Sequence, residues 1–558
     1  MSPNRMSRRD MLAYLRAISA YPIARSLMLG APTTPPQIAP RRSEATRPSF
    51  TLVNPRLAHP VFVEPGGECN IEVETPARLD PARWSVLLST DLGAAWACQI
   101  VDISDQGIDY GRRAGWRLRV RVPSDITPEL MTLQVDHPDA AGPVDEVRAI
   151  SVVPSLWTDG YLLHLTDEHV MYDSVKHYAC ENPKSGYRSA DLVRWATPVV
   201  NILNPRLVIN SGDQAHQYAT TGYRYSYSED IYRCYLNAKR GYRVPTMMVL
   251  GNHEVHEQDA EQRARDWARW EGLAGRRYYH IRVGSLVIYA HDYLDPVSKA
   301  FIAEIYQQSF RNGSIEGRVF VQHHTWAQGY QPPYDKAPTV MLIGHLHRQS
   351  VEDRWPAPIL MSMAAHNYAT GSLIRLKRRA GRWTTDAAND WSSCGLKLVG
   401  DYGAPNIAVS STQPNDGSSR ANRVTVTNKL AQGFSDGRVR LIMADGRYTV
   451  RGGNVLHRHR IAGGKTVVLI QIDVTAKDSL ELEVTAQTDT IADMNTTQTV
   501  SEPRVIEPPP AAESAPRDSS DGVLAPVDPG AVGDLSPSGF TVNLPFVGGS
   551  ADSNSAVP

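Results

Sequence analysis

The stretch Leu207-Val208-Ile209-Asn210-Ser211-Gly212-Asp213 decides how the middle of this chain folds. An unbroken apolar run with no alternation suits a strand buried on both faces. The Ser-Gly-Asp behind it ends that strand in a turn and a carboxylate. The same layout recurs on either side. Tyr161-Leu162-Leu163-His164-Leu165 runs into Thr166-Asp167-Glu168-His169, and Met247-Met248-Val249-Leu250 into Gly251-Asn252-His253-Glu254. Val319-Phe320-Val321-Gln322 runs into His323-His324, and Val340-Met341-Leu342-Ile343 into Gly344-His345-Leu346-His347. Five strand-like runs each deliver Asp, Asn or His at the C-terminal end, the edge where open α/β sheets build their sites.

The residue types suit a hard or borderline metal. Carboxylate oxygen, amide oxygen and imidazole nitrogen bind Zn, Fe or Mn, and soft thiolates are missing from the set. The i, i+2 spacing of Asp167/His169 and of His345/His347 sends both side chains out in similar directions. Glycines ahead of Asp213, Asn252 and His345 let the backbone turn and approach closely.

Outward from this core the pattern changes. Residues 49–155 read as short strands: Trp116, Leu118, Val120 and Val122 alternate with Arg117, Arg119 and Arg121, and Pro65-Gly66-Gly67 breaks the run. A small sandwich of immunoglobulin or fibronectin type is expected there. Residues 156–390 have the apolar runs and longer mixed segments of an α/β layered fold. Residues 391–494 return to strands, with Asp445-Gly446 as a hairpin signal and Leu480, Leu482 and Val484 alternating, and a second sandwich is expected. Residues 31–48 read as a linker and 495–558, rich in Pro, Ser and Gly, as a disordered tail.

Composition narrows the function classes. The chain has 558 residues, 42% of them hydrophobic and 21% charged, as in soluble globular proteins of two or three domains. With 58 basic and 59 acidic residues, nothing global argues for nucleic acid, and no apolar run is long enough for a transmembrane anchor. Within residues 1–30, Ser7-Arg8-Arg9-Asp10-Met11-Leu12 resembles a twin-arginine export signal, so a periplasmic or extracellular location is expected beside a cytoplasmic one. Cys69–Cys98 and Cys180–Cys234 are candidate disulfides if the chain is exported, with Cys394 left over; five free thiols are the alternative.

The order Asp-x-His, Gly-Asp, Gly-Asn-His-Glu, His-His and Gly-His-x-His resembles the calcineurin-like metallophosphoesterase superfamily, which includes purple acid phosphatases and cyclic-nucleotide phosphodiesterases. The resemblance covers about residues 156–375, including Tyr278 to Asp292, which resembles a strand pair of that family. It implies a four-layer core, two sheets flanked by helices, holding two divalent or trivalent transition metals (Fe, Mn or Zn). One metal would be held by Asp167, His169 and His347, the other by Asn252, His323 and His345, with Asp213 bridging. His253 would sit beside the phosphoryl group. A metal-bridging hydroxide would hydrolyse a phosphomonoester or phosphodiester. One position departs from the family: three residues past the bridging Asp, relatives carry an orienting Asp or a metal-binding Tyr, and this chain has His216. A tyrosinate–iron site is thus not expected, and His216 is read as contacting substrate or supporting a ligand.

Other residues are weighed against plainer roles. His324 is read as a substrate contact or as packing. His164 is expected to pack in its strand, and His457-Arg458-His459 to be an exposed strand end. The Tyr-rich stretch 218–242 is read as helix packing ahead of an aromatic wall for substrate. Arg348 and Arg354 are read as surface groups. Against the phosphoesterase stands a non-catalytic cell-surface or polysaccharide-binding protein with a vestigial central domain. An amidohydrolase fails because its His-x-His opens the series, whereas here it closes it.

Overall fold

The computed structural model describes residues 48–75, 79–107, 114–170, 189–215, 229–256, 259–324, 338–347, 350–352, 359–361, 369–385, 395–400 and 403–487, all within one compact unit. The export-signal segment, most of the linker, the tail, His216, Arg348 and Arg354 lie outside them.

All five motif strands form. Gly160–Leu165, Leu207–Asn210 and Thr246–Met248 run parallel, with Leu163 opposite Val208 and Val208 opposite Thr246. Thr370–Arg379 adds antiparallel beside Gly160–Leu165, and Arg382–Thr385 and Gly395–Lys397 pair with it in turn. The second sheet holds the other two motif strands: Leu286–Ala290, Gly317–Val321 and Val340–Ile343 run parallel, with Ile288 opposite Val319 and Val319 opposite Val340. The strand pair expected at 278–292 is Tyr279–Val283 against Leu286–Ala290, antiparallel.

The two sheets face each other across one apolar layer of Leu162, Leu207, Ile209, Met247 and Val249 against Ile288, Val319, Val321, Val340 and Leu342. Side chains buried this fully contribute about 1.5–3 kcal/mol each. The outer faces are apolar too, as the continuous runs require. Helix Ser189–Leu203 covers the first sheet with Leu192, Ala196, Val199, Val200 and Leu203, spaced to share one helical stripe. Helix Pro296–Arg311 covers the second with Ile302 and Tyr306 against Val287, Tyr289, Phe320 and Met341. Asp295 starts that helix by accepting the Val297 N–H at 2.9 Å, with Pro296 at its first position.

On the N-terminal side, a four-stranded and a five-stranded sheet share one apolar cluster, and in Ala114–Arg121 Trp116, Leu118 and Val120 are buried while Arg119 and Arg121 are exposed. On the C-terminal side lie a four-stranded and a three-stranded sheet whose core is continuous with that under Ser189–Leu203.

Two expectations are corrected. Asp445-Gly446 is no hairpin: Phe434–Ala444 pairs with Lys465–Val474, whereas Tyr448–Arg451 pairs with Asp478–Ala486 in the other sheet. The turn carries the chain between sheets because Tyr448 is fully buried in the core between them, with its hydroxyl donating to Ala444 O at 2.6 Å. Cys69 and Cys98 are free thiols, each pushed up to about 12 by burial. Cys180, Cys394 and the Cys234 side chain lie outside the described residues.

Candidate metal centre

Beyond their strands the motif loops go on pairing. Asp167 N–H donates to Gly212 O at 3.0 Å, His169 N–H to Asp213 O at 2.9 Å, and Gly344 N–H to His323 O at 3.1 Å. These bonds carry each sheet's loops past its strand ends, while the His345 N–H donating to Asp167 Oδ2 at 3.1 Å and His323 Nδ1 at 2.9 Å from Ser211 O join the loops of the two sheets.

Asp167, His169 and His347 form one group. His347 Nε2 lies 2.9 Å from Asp167 Oδ1, and His169 Nε2 lies 3.7 Å from that oxygen and 3.2 Å from His347 Nε2. The second group centres on Asn252 Oδ1, which lies 3.0 Å from His323 Nε2, 3.0 Å from His345 Nδ1 and 3.2 Å from His324 Nε2. Asp213 stands between the groups, its Oδ2 3.2 Å from His323 Nε2, 3.8 Å from His253 Nε2 and 3.9 Å from His169 Nε2. Donors about 2.1 Å from a shared cation, at right or tetrahedral angles, stand about 3.0–3.4 Å apart. The closest contacts in both groups have that spacing, so both donor sets suit a metal ion.

The remaining atoms of these residues are tied down. Asp167 Oδ2 accepts from Thr166 Oγ1 at 2.7 Å and from the His345 N–H at 3.1 Å, which leaves Oδ1 facing the histidines. His323 Nδ1 lies 2.9 Å from Ser211 O, which can only accept, so Nδ1 carries the proton and Nε2 faces the centre. Burial would raise the Asp213 carboxyl, but His323, His253 and His169 outweigh it and hold it well below the usual range. Burial would lower His323, yet Asp213 and its hydrogen bond drive it up to about 9. The His347 imidazole is raised chiefly by its hydrogen bond to Asp167, and that of His253 is lowered by burial.

Five residues of the site hold left-handed backbone, though such positions also occur elsewhere, at Arg148, Asn204, Ala369, Ala380, Asp436 and Lys477. Asp167, His169, Asp213, His345 and His347 all have φ between 44° and 70°, a region side-chain-bearing residues leave unless held, at about 1–3 kcal/mol each. Of the three glycines, Gly212 has the positive φ, 114°. Gly251 and Gly344 serve space instead: a Cβ on Gly251 would meet Asp213 Oδ1 at 2.1 Å, and one on Gly344 would meet Thr166 Oγ1 at 2.0 Å.

Behind the candidate donors lie two carboxylates whose roles the motifs did not disclose. Glu254, buried and pushed up to about 8 by that burial and by Asp213, accepts the N–H groups of Gly251, Asp213 and Ala215 at 2.7–2.9 Å. It binds the Gly-Asp loop to the Gly-Asn-His loop. Glu168 turns away from the centre into the core, where Lys239 Nζ meets it at 2.7 Å, Tyr235 donates at 3.0 Å and Asn210 Nδ2 donates as well. Asn210 Oδ1 in turn accepts the Gly212 N–H at 3.0 Å, so the pair supports both the Asp167 and the Asp213 loops. No sequence signal marks Lys239, whose partner lies 71 positions earlier.

The other candidates separate clearly. The chain turns after Gln322, so His324 joins its neighbour His323 rather than facing away; its ring stacks between Tyr293 at 4.3 Å and His345 at 4.0 Å. His253 packs edge-on against His169 at 4.6 Å, and Asp213 Oδ1 accepts its backbone N–H at 2.9 Å. His164 is buried, bonded to Ser211 Oγ at 2.8 Å. His459 is not at an exposed strand end as expected: it is buried beside Trp96, 3.9 Å from Glu129, because the N-terminal strands cover it. Tyr232 and Tyr235 pack in the core as helix residues; Tyr223, Tyr225 and Tyr227 lie outside the described residues. No described helix is long and apolar enough to cross a membrane.

Residues 161–368 match the sequence model of the family described as calcineurin-like phosphoesterase. No curated protein sequence matches the chain. Similar solved structures include a conserved Streptococcus pneumoniae protein described as a predicted phosphoesterase, at 11% identity and TM-score 0.19, covering 41% of this chain and 97% of that one. An archaeal phosphodiesterase is similar at 11% identity and TM-score 0.19, covering 40% and 98%. Vps29 from Entamoeba histolytica is similar at 14% identity and TM-score 0.17, covering 40% and 97%.

Proposed function

We propose, from the premise that residues 161–368 are a calcineurin-like phosphoesterase domain, that this chain hydrolyses a phosphomonoester or phosphodiester with two transition-metal ions. The observation that supports it most is the placing of Asp213 between two inward-facing donor groups. Asp167, His169 and His347 would hold one ion; Asn252, His323 and His345 the other; Asp213 would reach both. Bound there, Fe, Mn or Zn would supply Lewis-acid polarisation of the phosphoryl group and water activated near neutral pH. His253 aims Nε2 into the same space and donates a hydrogen bond to charge building on the phosphoryl oxygens, or passes a proton to the leaving oxygen. His324, stacked on His345, either joins the second donor set or holds His345 in place.

The non-catalytic alternative fits less well, since every donor expected of the site is present and turned inward. In the same reading, the flanking strands at 49–155 and 391–494 are immunoglobulin- or fibronectin-like sandwiches, and residues 1–30 direct export, which N-terminal sequencing of the mature protein checks. The deciding experiment is hydrolysis of nitrophenyl phosphate and bis-nitrophenyl phosphate with Mn, Zn or Fe, beside Asp213→Ala. Metal-dependent turnover abolished in the variant is expected. No bound metal and no turnover under any condition would sink the proposal.

A further inference from the structure

Far from the metal motifs in sequence, a cavity of about 270 Å³ opens where the N-terminal strands, the central sheet and the C-terminal strands meet. Its charged walls are Arg206, Arg243, Arg438, Glu129, Asp159 and Asp436. The carboxylates are already engaged. Asp159 meets Arg379 at 3.0 Å and accepts the Arg378 N–H at 2.9 Å. Glu129 meets Arg440 at 3.2 Å, and Asp436 accepts from the Gln471 amide. Arg206 is engaged as well, donating to Ser155 O at 3.0 Å and Thr158 Oγ1 at 2.7 Å.

Arg243 and Arg438 are not matched in this way. Arg438 donates from Nη1 to Pro128 O at 2.7 Å, and its buried Nε has no partner. The Arg243 guanidinium meets no carboxylate within ion-pair distance among the described residues, and only its backbone N–H is engaged, by Asn201. Arg440 stands close by and takes Asp91 at 2.6 Å along with Glu129. With Arg206 beside Asp436 counted in, four guanidinium groups (Arg206, Arg243, Arg438 and Arg440) face three carboxylates, Asp91, Glu129 and Asp436, which leaves one positive charge in excess. His459 adds none, because burial holds it down to about 4 and so neutral. Burial and Arg440 push Arg243 down to about 10, which still leaves it charged at neutral pH. Arg243 and Arg438 are half-buried, so a charge there without a counter-charge is only partly solvated, and a guanidinium fork is shaped for the paired oxygens of an oxyanion.

We propose that this cavity binds a small phosphate-class oxyanion between Arg243 and Arg438. Arg243 enters from the segment ahead of the Thr246–Met248 strand and Arg438 from the Phe434–Ala444 strand, so the anion ties the C-terminal strands to the central sheet. The site uses none of the metal-centre residues and does not depend on the chain being an enzyme.

The test is calorimetric titration and thermal melting of the metal-loaded full chain with inorganic phosphate, against chloride at equal ionic strength. Arg243→Gln and Arg438→Gln run in parallel. The wild type is expected to bind one more phosphate than either variant, with a saturable rise in Tm that both variants lose while metal bound per chain is unchanged. Glycerol phosphate separates sources: the extra site filled by both ligands indicates a phosphate monoester fits, and by phosphate alone a free ion; either supports the site. Equal stoichiometry and affinity in wild type and variants would place all the phosphate at the metal centre and overturn the proposal. If the glutamine variants fail to fold, Arg243→Lys decides: binding at least about tenfold weaker supports the fork contact, and unchanged binding refutes it.

Discussion

The proposed metal centre and the arginine junction are both clusters of charge inside the fold, yet they are built in opposite ways. The candidate donors of the centre sit just past strand ends, and five of them hold a positive φ. At the junction, Arg438 and Arg440 stand in the regularly paired part of the Phe434–Ala444 strand, past the irregularity at Asp436, and Arg440 finds Asp91 across 349 positions of sequence. Strained loops aim donors at a point in space, as chemistry requires. Regular strands deliver charges to a seam, where matching a partner is enough.

The largest effect should come from breaking the centre at its shared residue. Asp213→Ala is expected to lower kcat about 10⁴-fold or more, roughly 5 kcal/mol, and to reduce bound metal below two per chain by elemental analysis. Retained activity would remove the bridging role.

Lys239→Met tests whether the support behind the centre belongs with the strained loops or with the seams. It leaves Glu168 buried without its cation, so unfolding in denaturant should show a loss of about 3–5 kcal/mol. Because Glu168 lies between Asp167 and His169, metal affinity measured by competition should weaken as well. Lost stability with unchanged metal affinity would make the pair a seam like the arginine junction.

His253→Asn sharpens the comparison from inside the centre, since this residue is proposed to act on the substrate and not to hold metal. A fall in kcat of about a hundredfold with metal content unchanged is expected. Loss of metal in this variant would move His253 into the ligand set.

The smallest effect is one of acid. His59 joins the N-terminal strands to the central region, bonded to His280 O at 3.0 Å and stacked on Tyr279 at 4.3 Å. Burial, helped by Arg276, holds it down to about 3. Between pH 6.5 and 3 the unfolded chain binds a proton that the folded ring refuses. Stability is thus full above pH 6.5 and falls as the pH drops through that window. At pH 5.5 the loss from this ring is about 1.4 kcal/mol, and His59→Gln should flatten Tm against pH over the same range. An unchanged slope would assign the acid sensitivity to other groups.

How much could be read beforehand differs along the chain for physical reasons. The motif strands and the donors behind them were legible because a strand buried on both faces is apolar throughout and must end where polar groups begin. His324 was not, since a residue next to a ligand faces away on an unbroken strand and only the turn after Gln322 brings it in. Asp445-Gly446 announced a turn correctly and its partner wrongly: turn chemistry is local, whereas the burial of Tyr448 chose the sheet. His459 looked exposed because its cover comes from strands more than three hundred positions earlier.

The amino-acid sequence by itself determined the motif strands and the kinds of atom at their ends, donors suited to hard or borderline metals, because these follow from periodicity and side-chain chemistry within a few residues. Only the tertiary structure decided that Asp213 stands between two donor groups, that Glu168 leans back on Lys239, and that Arg243 and Arg438 share a cavity short of negative charge. Those facts depend on distances between segments far apart in the chain, and such distances are set by packing, which no local pattern encodes.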